Sequence, residues 1–263
     1  MGILNITPDS FSDGGRHLDV ERAVDAGLRM VEAGADILDV GGESTRPGAE
    51  SVGADEELRR VLPVVEGLAR RTDALISIDT YKAVVASAAV ERGAAIVNDI
   101  SGLQYDPPLG GVAARTGAPL ILMHTRGRSR EMYDRAVYAD VVAEVTAELD
   151  QAIERAAAAG VKREALIVDP GFGFAKAPGH SFTLLARLGA LASLDRPILS
   201  GPSRKSFLKL AIGDREPGAR EWGTAAAVTA SVLLGSHILR VHDVAAMVDV
   251  IRVADRILAL QPG

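Results

Sequence analysis

The chain has 263 residues, of which 48% are hydrophobic and 4% aromatic, and it contains no cysteine. This length fits one domain spanning residues 1–263, and the absence of cysteine excludes disulfides and thiolate metal sites. The formal net charge of −6 argues against nucleic acid as a partner, because nucleic-acid binding calls for a basic face.

Eight short apolar runs follow one another along the chain, and a stretch with helical character follows each run. Aliphatic residues dominate the runs, which is typical of parallel strands buried on both faces. Helical crossovers must join such strands, and only closure into a barrel removes the exposed sheet edges. The sequence therefore predicts a single-domain α/β fold, the (β/α)8 TIM barrel, with an open doubly wound sheet as the alternative. The predicted strands are Gly2–Thr7, Ile37–Gly42, Leu75–Thr80, Ala95–Asp99, Leu120–His124, Leu166–Pro170, Ile198–Gly201 and His237–His242.

Apolar stripes at helical spacing follow the first, second and last runs, and each stripe is expected to pack on the outside of the barrel. The stripes are Val20, Ala23, Val24, Leu28 and Val31, then Leu58, Val61, Leu62, Val65 and Leu68, and finally Val244, Met247, Val248, Ile251, Ile257 and Leu258.

Two loops after predicted strands are unusually long, Pro8–Asp19 and Glu43–Gly53, and a third candidate, Thr125–Arg135, is rich in arginine. Since loops at the carboxyl ends of barrel strands carry function, we interpret the first two as mobile flaps over a site and the third as a further candidate. A solvated linker is the alternative for each.

Aspartates end two aliphatic stretches within these runs, Ile76–Asp79 and Ile167–Asp169, where a TIM barrel keeps its active site. Asp79 and Asp169 should lie deep in the barrel mouth, and burial there requires partners that offset their desolvation. A flat ligand with adjacent N–H donors would supply them, because a carboxylate accepts two parallel hydrogen bonds from an amidine-like edge. With Asn98 nearby, the pattern indicates an aminopyrimidinone ring. Internal pairing of either aspartate with Lys205 or an arginine is the alternative.

Basic residues follow the seventh run and form part of the eighth. The segment 200–206, Ser-Gly-Pro-Ser-Arg-Lys-Ser, stands where barrels often bind phosphate. Arg240 and His242 alternate with apolar neighbours on the last predicted strand, so their side chains should point to the same side. This pattern favours a phosphate ester or pyrophosphate, and a solvated strand end is the alternative.

A metal is expected to arrive mainly with the substrate. Asn5, near the end of the first run, offers an amide oxygen, and Mg2+ usually takes one or two protein oxygens while phosphates and water complete its shell. The sequence contains no His or carboxylate cluster with metal-ligand spacing and no obvious catalytic triad. His124 fits either a functional group or a rim histidine with internal partners.

Five motifs together resemble the dihydropteroate synthase family of pterin-binding TIM barrels, and the resemblance covers all eight strand positions. It implies a transferase of folate biosynthesis, a sulfonamide target, that condenses 6-hydroxymethyl-7,8-dihydropterin pyrophosphate with 4-aminobenzoate to give 7,8-dihydropteroate and pyrophosphate. The motifs are GILNITPDSFSDGG at 2–15, DVGGESTRPG at 39–48, DPGFGF at 169–174, SRKS at 203–206 and RVH at 240–242.

The resemblance also implies three groups of site residues. The implied pterin pocket contains Asp79, Asn98, Asp169 and Lys205, with Ile100, Met123 and Phe174 as apolar walls. The implied pyrophosphate site contains Asn5, acting through Mg2+, with Arg46, Arg240 and His242 and with Asp39 nearby. The implied 4-aminobenzoate site contains Phe11, Thr45, Pro47 and Ser206. Of these, the expected catalytic residues are Asn5, Asp39, Arg46, Lys205, Arg240 and His242.

The implied mechanism is dissociative: pyrophosphate leaves first, and the arylamine attacks the resulting pterin-stabilised cation. The family further implies a homodimer, for which the last three helices offer Ala- and Val-rich faces. One departure from the family pattern is Ala175, where a glycine is common. One alternative is a pterin-dependent methyltransferase module, against which Lys205 and Arg240 weigh because a methyl carrier has no pyrophosphate to stabilise. The other is a catalytically silent pterin-binding paralogue.

The composition and the start of the chain bear on its location. No apolar stretch approaches the roughly 18 residues needed to span a bilayer, and the start lacks the pattern of a signal peptide. A chain without cysteine is also compatible with a reducing compartment. We therefore expect a cytoplasmic protein that does not contact membranes.

Overall fold

The computed structural model describes residues 1–6, 16–44, 51–128 and 131–260. The described residues form eight parallel strands, one at each predicted run, and every strand is at least one residue shorter than predicted. The last run is shortened most, because its strand ends at Leu239 and leaves Arg240 and His242 in the segment that follows. The strands are β1 Gly2–Asn5, β2 Ile37–Gly41, β3 Leu75–Asp79, β4 Ile96–Asp99, β5 Leu120–Met123, β6 Leu166–Asp169, β7 Leu199–Ser200 and β8 Ile238–Leu239.

The strands close into a (β/α)8 barrel, as predicted. Strands β1 to β6 pair in chain order, and β7 pairs with β8. Parallel bridges join these two sheets on both sides, between Val168 and Ile198 and between Gly2 and Val241. At the second junction the Ile3 amide donates to the Val241 carbonyl over 2.9 Å. The carboxyl ends of all eight strands therefore meet at one rim.

Helices separate the strands and cover the outside of the barrel. Their apolar stripes pack on the strands, and Val24, Val61 and Leu68 in the first two helices are fully buried. Two helices begin at aspartate caps, since Asp140 accepts from the Val142 amide and Asp243 accepts from the Ala246 amide. The helices are α1 Arg16–Glu32, α2 Ala54–Ala69, α3 Ala83–Glu91, α4 Pro108–Thr116, α5 Val141–Ala158, α6 Pro178–Ala186, α7 Lys209–Ile212, α8 Glu221–Leu233 and α9 Val244–Leu258.

The barrel interior is filled by a small apolar cluster that lies below the rim. Ile96, Ile121 and Leu199 are buried together there. Asn98 follows Ile96 by two positions on the same strand, so its side chain points to the same side, one layer nearer the rim. The interior thus changes from apolar to polar along the strand direction.

Some predicted boundaries were wrong. Helix α1 already begins at Arg16, so the first predicted flap, Pro8–Asp19, includes the opening turn of a helix. In the last apolar stripe, Ile257 and Leu258 are 46% and 39% exposed and do not pack on the barrel as predicted. No helix in the described ranges is long and apolar enough to cross a membrane.

Candidate active site

An open cleft of about 370 Å³, a volume that includes the space open to solvent at its mouth, lies at the carboxyl rim. It brings together all seven residues that were expected to form the pterin pocket, although they come from five strands or the loops that follow them. Four further lining residues were not expected in this pocket, Gly171, Phe172, Gly201 and Arg240. The seven expected residues are Asp79, Asn98, Ile100, Met123, Asp169, Phe174 and Lys205.

Arg240 lies at the floor of the cleft between two carboxylates. Its Nε donates to Oδ2 of Asp39 and its Nη2 to Oδ2 of Asp79, each over 2.6 Å. Asn98 donates to the same Asp39 oxygen over 3.0 Å. Asp79 therefore pairs with an arginine inside the protein, which was the alternative to ligand binding for this carboxylate. Arg240 is 17% exposed and is not a solvated strand end.

Asp169 differs from Asp79 in what it contacts. It is 6% exposed, and its Oδ1 accepts a 2.7 Å hydrogen bond from the Gly171 amide. Burial raises the pKa of Asp169 above its ordinary value, and the Gly171 hydrogen bond and the Lys205 charge oppose that rise. A buried carboxylate on the wall of an open cleft is suited to bind N–H donors of a ligand.

Lys205 faces the same cleft from the loop after β7. Its Nζ lies 4.0 Å from the centre of the Phe174 ring, a cation–π contact. Burial, with the Arg240 charge nearby, lowers the pKa of Lys205 to about 8. The preceding residue, Arg204, has a φ of +60°, a conformation that costs a non-glycine residue free energy and that tends to occur at functional loops.

The loop after β6 can approach β5 only because residue 171 is glycine. Gly171 has a φ of +68°, and a Cβ there would lie 2.1 Å from the His124 carbonyl oxygen. The backbone amide of Gly171 thereby reaches Asp169, and the loop brings Phe174 over the cleft.

The remaining described residues of the expected anion site lie around this cleft. His242 Nδ1 lies 3.0 Å from the Ser203 hydroxyl, which joins the loops after β7 and β8. Ser206 is exposed at the start of a short 3-10 helix. Asn5 ends β1. Ile3 pairs in register with Asp39, so the two side chains point to the same side of the sheet, which is the barrel interior. Asn5 follows Ile3 by two positions and therefore points into the barrel as well.

Four expected site residues, Phe11, Thr45, Arg46 and Pro47, lie outside the described residues, and their roles stay predictions. Parts of all three expected flaps lie outside as well. The described part of the third, Thr125–Arg135, is held at Arg126, which forms ion pairs with Glu144 and Glu148.

A partly buried network of polar and charged side chains behind the cleft was not predicted from the sequence. His124 contacts Glu148 through Nε2 and Lys176 through Nδ1, so it has internal partners on both ring nitrogens. This is the second of the two roles that the sequence left open for His124. The available signal for this network was Lys176, which follows the Gly-Phe-Gly-Phe motif by two positions.

The chain resembles known proteins over almost its whole length. A family model described as pterin binding enzyme matches residues 1–242. Dihydropteroate synthase of Escherichia coli is 46% identical over 261 residues, which cover 98% of this chain and 91% of that protein. The chain belongs to the dihydropteroate synthase family. The predicted enzyme class, a transferase of folate biosynthesis that makes dihydropteroate, is thereby confirmed.

Solved structures of the family agree with the fold. The Xanthomonas albilineans synthase with 4-aminobenzoic acid superposes with a TM-score of 0.92 at 46% identity and covers 99% of this chain and 93% of that chain. The same organism's synthase in complex with 7,8-dihydropteroate superposes with a TM-score of 0.89 at 43% identity and covers 99% and 94%.

Proposed function

We propose that the rim cleft binds the ring of 6-hydroxymethyl-7,8-dihydropterin pyrophosphate and that 4-aminobenzoate displaces pyrophosphate there. The observation that carries this assignment is Asp169, a buried carboxylate on the cleft wall that accepts, among the described residues, a hydrogen bond from a backbone amide on Oδ1. The aminopyrimidinone edge of a pterin supplies further donors. Met123 and Phe174 line the same cleft and suit the flat faces of the ring.

We assign to the carboxylates of Asp39 and Asp79 the stabilisation of positive charge on the pterin ring. When pyrophosphate leaves first, positive charge develops on the pterin, and Asp79 and Asp39 lie beneath it with Arg240 as their internal counterion. Preorganised charges of this kind stabilise a transition state without reorganisation. Lys205 and His242 are the described candidates to bind the departing anion, and Arg46 is the candidate from outside the described residues.

Mg2+ fits the corner of the cleft formed by β1 and β2. Asn5 offers an amide oxygen there, and Asp39 has a buried Oδ1 with no hydrogen-bond partner among the described residues. Mg2+ favours such hard oxygen ligands and, when bound, neutralises charge on the pyrophosphate oxygens. Asn5 would hold the ion, with the substrate's phosphates completing its shell.

A homodimer through the last helices is the proposed assembly. Large apolar side chains are exposed there, and exposed apolar patches on a monomer often mark interfaces. Sedimentation equilibrium should give a dimer that Trp222→Asp dissociates, while Val84→Asp, at an exposed residue on α3, should leave it intact. A monomeric wild type would contradict the assembly. The exposed residues are Leu210, Trp222, Val253, Ile257 and Leu260.

Pyrophosphate release tests the assignment of the reaction. Wild type should release pyrophosphate from the dihydropterin pyrophosphate only with Mg2+, in an amount that matches the dihydropteroate formed when 4-aminobenzoate is present. Asp169→Asn should lose most of this turnover, since the amide presents an N–H where the pterin needs an acceptor. Full turnover in Asp169→Asn would contradict the proposed pocket. No turnover in wild type would favour the silent paralogue.

A further inference from the structure

Lys176 is a buried cation that the proposed chemistry does not use. It is 1% exposed, and it is among the largest fully buried side chains of the described residues. Its Nζ donates to Nδ1 of His124 over 2.8 Å and to the Phe174 carbonyl over 2.9 Å. A third acceptor, the His124 carbonyl, lies 3.4 Å away. All three acceptors are uncharged, and an ammonium buried on such partners is costly. A cost of this kind at a loop beside the active site suggests a role in shaping that loop.

The hydrogen bonds and contacts of Lys176 continue through a circuit that returns to its own loop. His124 Nε2 lies 3.0 Å from Glu148, and Glu148 accepts from Arg126 Nε over 3.0 Å. The Arg126 guanidinium stacks 4.0 Å from the centre of the Tyr138 ring. The Tyr138 hydroxyl then donates to the Ala175 carbonyl over 2.9 Å. We call these residues the rear circuit.

The rear circuit holds two consecutive carbonyls directly behind the cleft, those of Phe174 and Ala175. Ala175 is fully buried with a φ of +47°, a left-handed conformation that an alanine adopts only when its surroundings impose it. The Phe174 ring, on the front of the same segment, lines the cleft and lies against the Lys205 ammonium. The circuit therefore ties the backbone of the segment to α5, while the ring of the segment forms a wall of the cleft.

We propose that Lys176 is a positioning residue of the pterin pocket. Through the Phe174 carbonyl and His124 it fixes the Phe174 ring in the place where the ring contacts the pterin and Lys205. This proposal rests on the proposed function, because it assumes that the cleft binds the pterin ring. It assigns Lys176 no contact with substrate, so losing the ammonium should change pterin affinity and leave the chemical step almost unchanged.

Lys176→Met tests the proposal, since methionine keeps an unbranched chain of similar size and removes the three N–H donors. The dissociation constant of a pterin without pyrophosphate, measured by calorimetry, should rise about tenfold, and KM for dihydropterin pyrophosphate should rise by a similar factor. At saturating substrate kcat should stay within about threefold of wild type. Lys162→Met, at an exposed lysine before β6, is the matched control and should change neither constant.

Tyr138→Phe provides a second, milder variant in case Lys176→Met does not fold. It removes one hydroxyl from the rear circuit while the ring remains stacked on Arg126. It should raise the pterin dissociation constant about threefold with kcat unchanged. A purely structural role predicts instead a lower kcat, from a smaller folded fraction, with KM and pterin affinity unchanged. That result, or wild-type constants in both variants, would overturn the proposal.

Asp169→Asn, measured beside these variants, separates the two proposals. Loss of pterin affinity in Asp169→Asn together with wild-type affinity in Lys176→Met and Tyr138→Phe would overturn only the positioning role. Wild-type affinity in Asp169→Asn would overturn the pocket itself and, with it, the role of Lys176.

Discussion

Arg240 donates to Asp79 over 2.6 Å, although 161 positions separate the two residues in the chain. The contact connects the segment after the last strand to the end of the third strand across the barrel mouth, and the same guanidinium also binds Asp39. Two largely buried carboxylates therefore share one guanidinium. Arg240 is consequently part of the fold as well as of the candidate site, which changes what its removal should do.

Arg240→Ala should lower the free energy of unfolding by about 3–5 kcal/mol, because it removes the guanidinium that pairs with the carboxylates of both Asp39 and Asp79. Urea denaturation measures this loss. Arg252→Ala is the control: Arg252 is 73% exposed beside Asp249 on α9, and removing such a surface pair costs at most about 1 kcal/mol. Equal, small losses in both variants would mean that the paired carboxylates take up protons or other partners without penalty.

His242→Ala should separate binding of the anion from binding of the ring. His242 contacts Ser203 and does not line the cleft that holds the expected pterin residues. A pterin lacking pyrophosphate should bind the variant within about twofold of wild type, whereas the pyrophosphate substrate should bind at least about tenfold more weakly, which corresponds to about 1.4 kcal/mol. Calorimetry with both ligands checks this. An equal loss for both ligands would assign His242 to the support of the pocket.

Lys176 should make the stability of the protein depend on pH above neutrality. Burial lowers its pKa from 10.5 to about 7 in the folded state, so between these values the unfolded chain binds more protons. The free energy of unfolding therefore rises with pH across this window, by at most about 1.4 kcal/mol per unit, and the penalty of the buried charge is fully present below pH 7. Urea denaturation from pH 6.5 to 9.5 should show this rise in wild type relative to Lys176→Met. A constant difference between the two would show that Lys176 stays charged throughout.

Gly171→Ala should disrupt the loop after β6, since a Cβ there would meet the His124 carbonyl oxygen at 2.1 Å and the φ is +68°. We expect a loss of about 3 kcal/mol or more in unfolding free energy, with weakened pterin binding. Gly179→Ala on α6, where a Cβ has no heavy atom within 4 Å, should be neutral or stabilise by up to about 1 kcal/mol. Thermal unfolding of the two variants distinguishes these outcomes. A Gly171→Ala protein as stable as Gly179→Ala would show that the loop can shift.

Asp79, Asn98 and Asp169 were predictable because each stands at or beside the end of a locally recognisable strand, whereas Ile100, Met123 and Phe174 were implied by the family resemblance. A run such as Leu166–Asp169 shows its burial in its own composition, and closing eight such runs into a barrel places their ends at one rim. The ends of β7 and β8 were less predictable, since these strands are two residues long and their pairing depends on neighbours elsewhere in the chain. The start of α1 at Arg16 was also missed, because helix boundaries are weakly encoded.

The sequence by itself determined the barrel, the family and the chemical character of the rim, because hydrophobic periodicity and contiguous motifs are local properties. Only the tertiary structure decided which charges meet. Arg240 pairs with Asp39 and Asp79, and Lys176 meets His124 across 52 positions. The strength of such pairs depends on distance and burial, and these two quantities exist only once the chain has closed on itself.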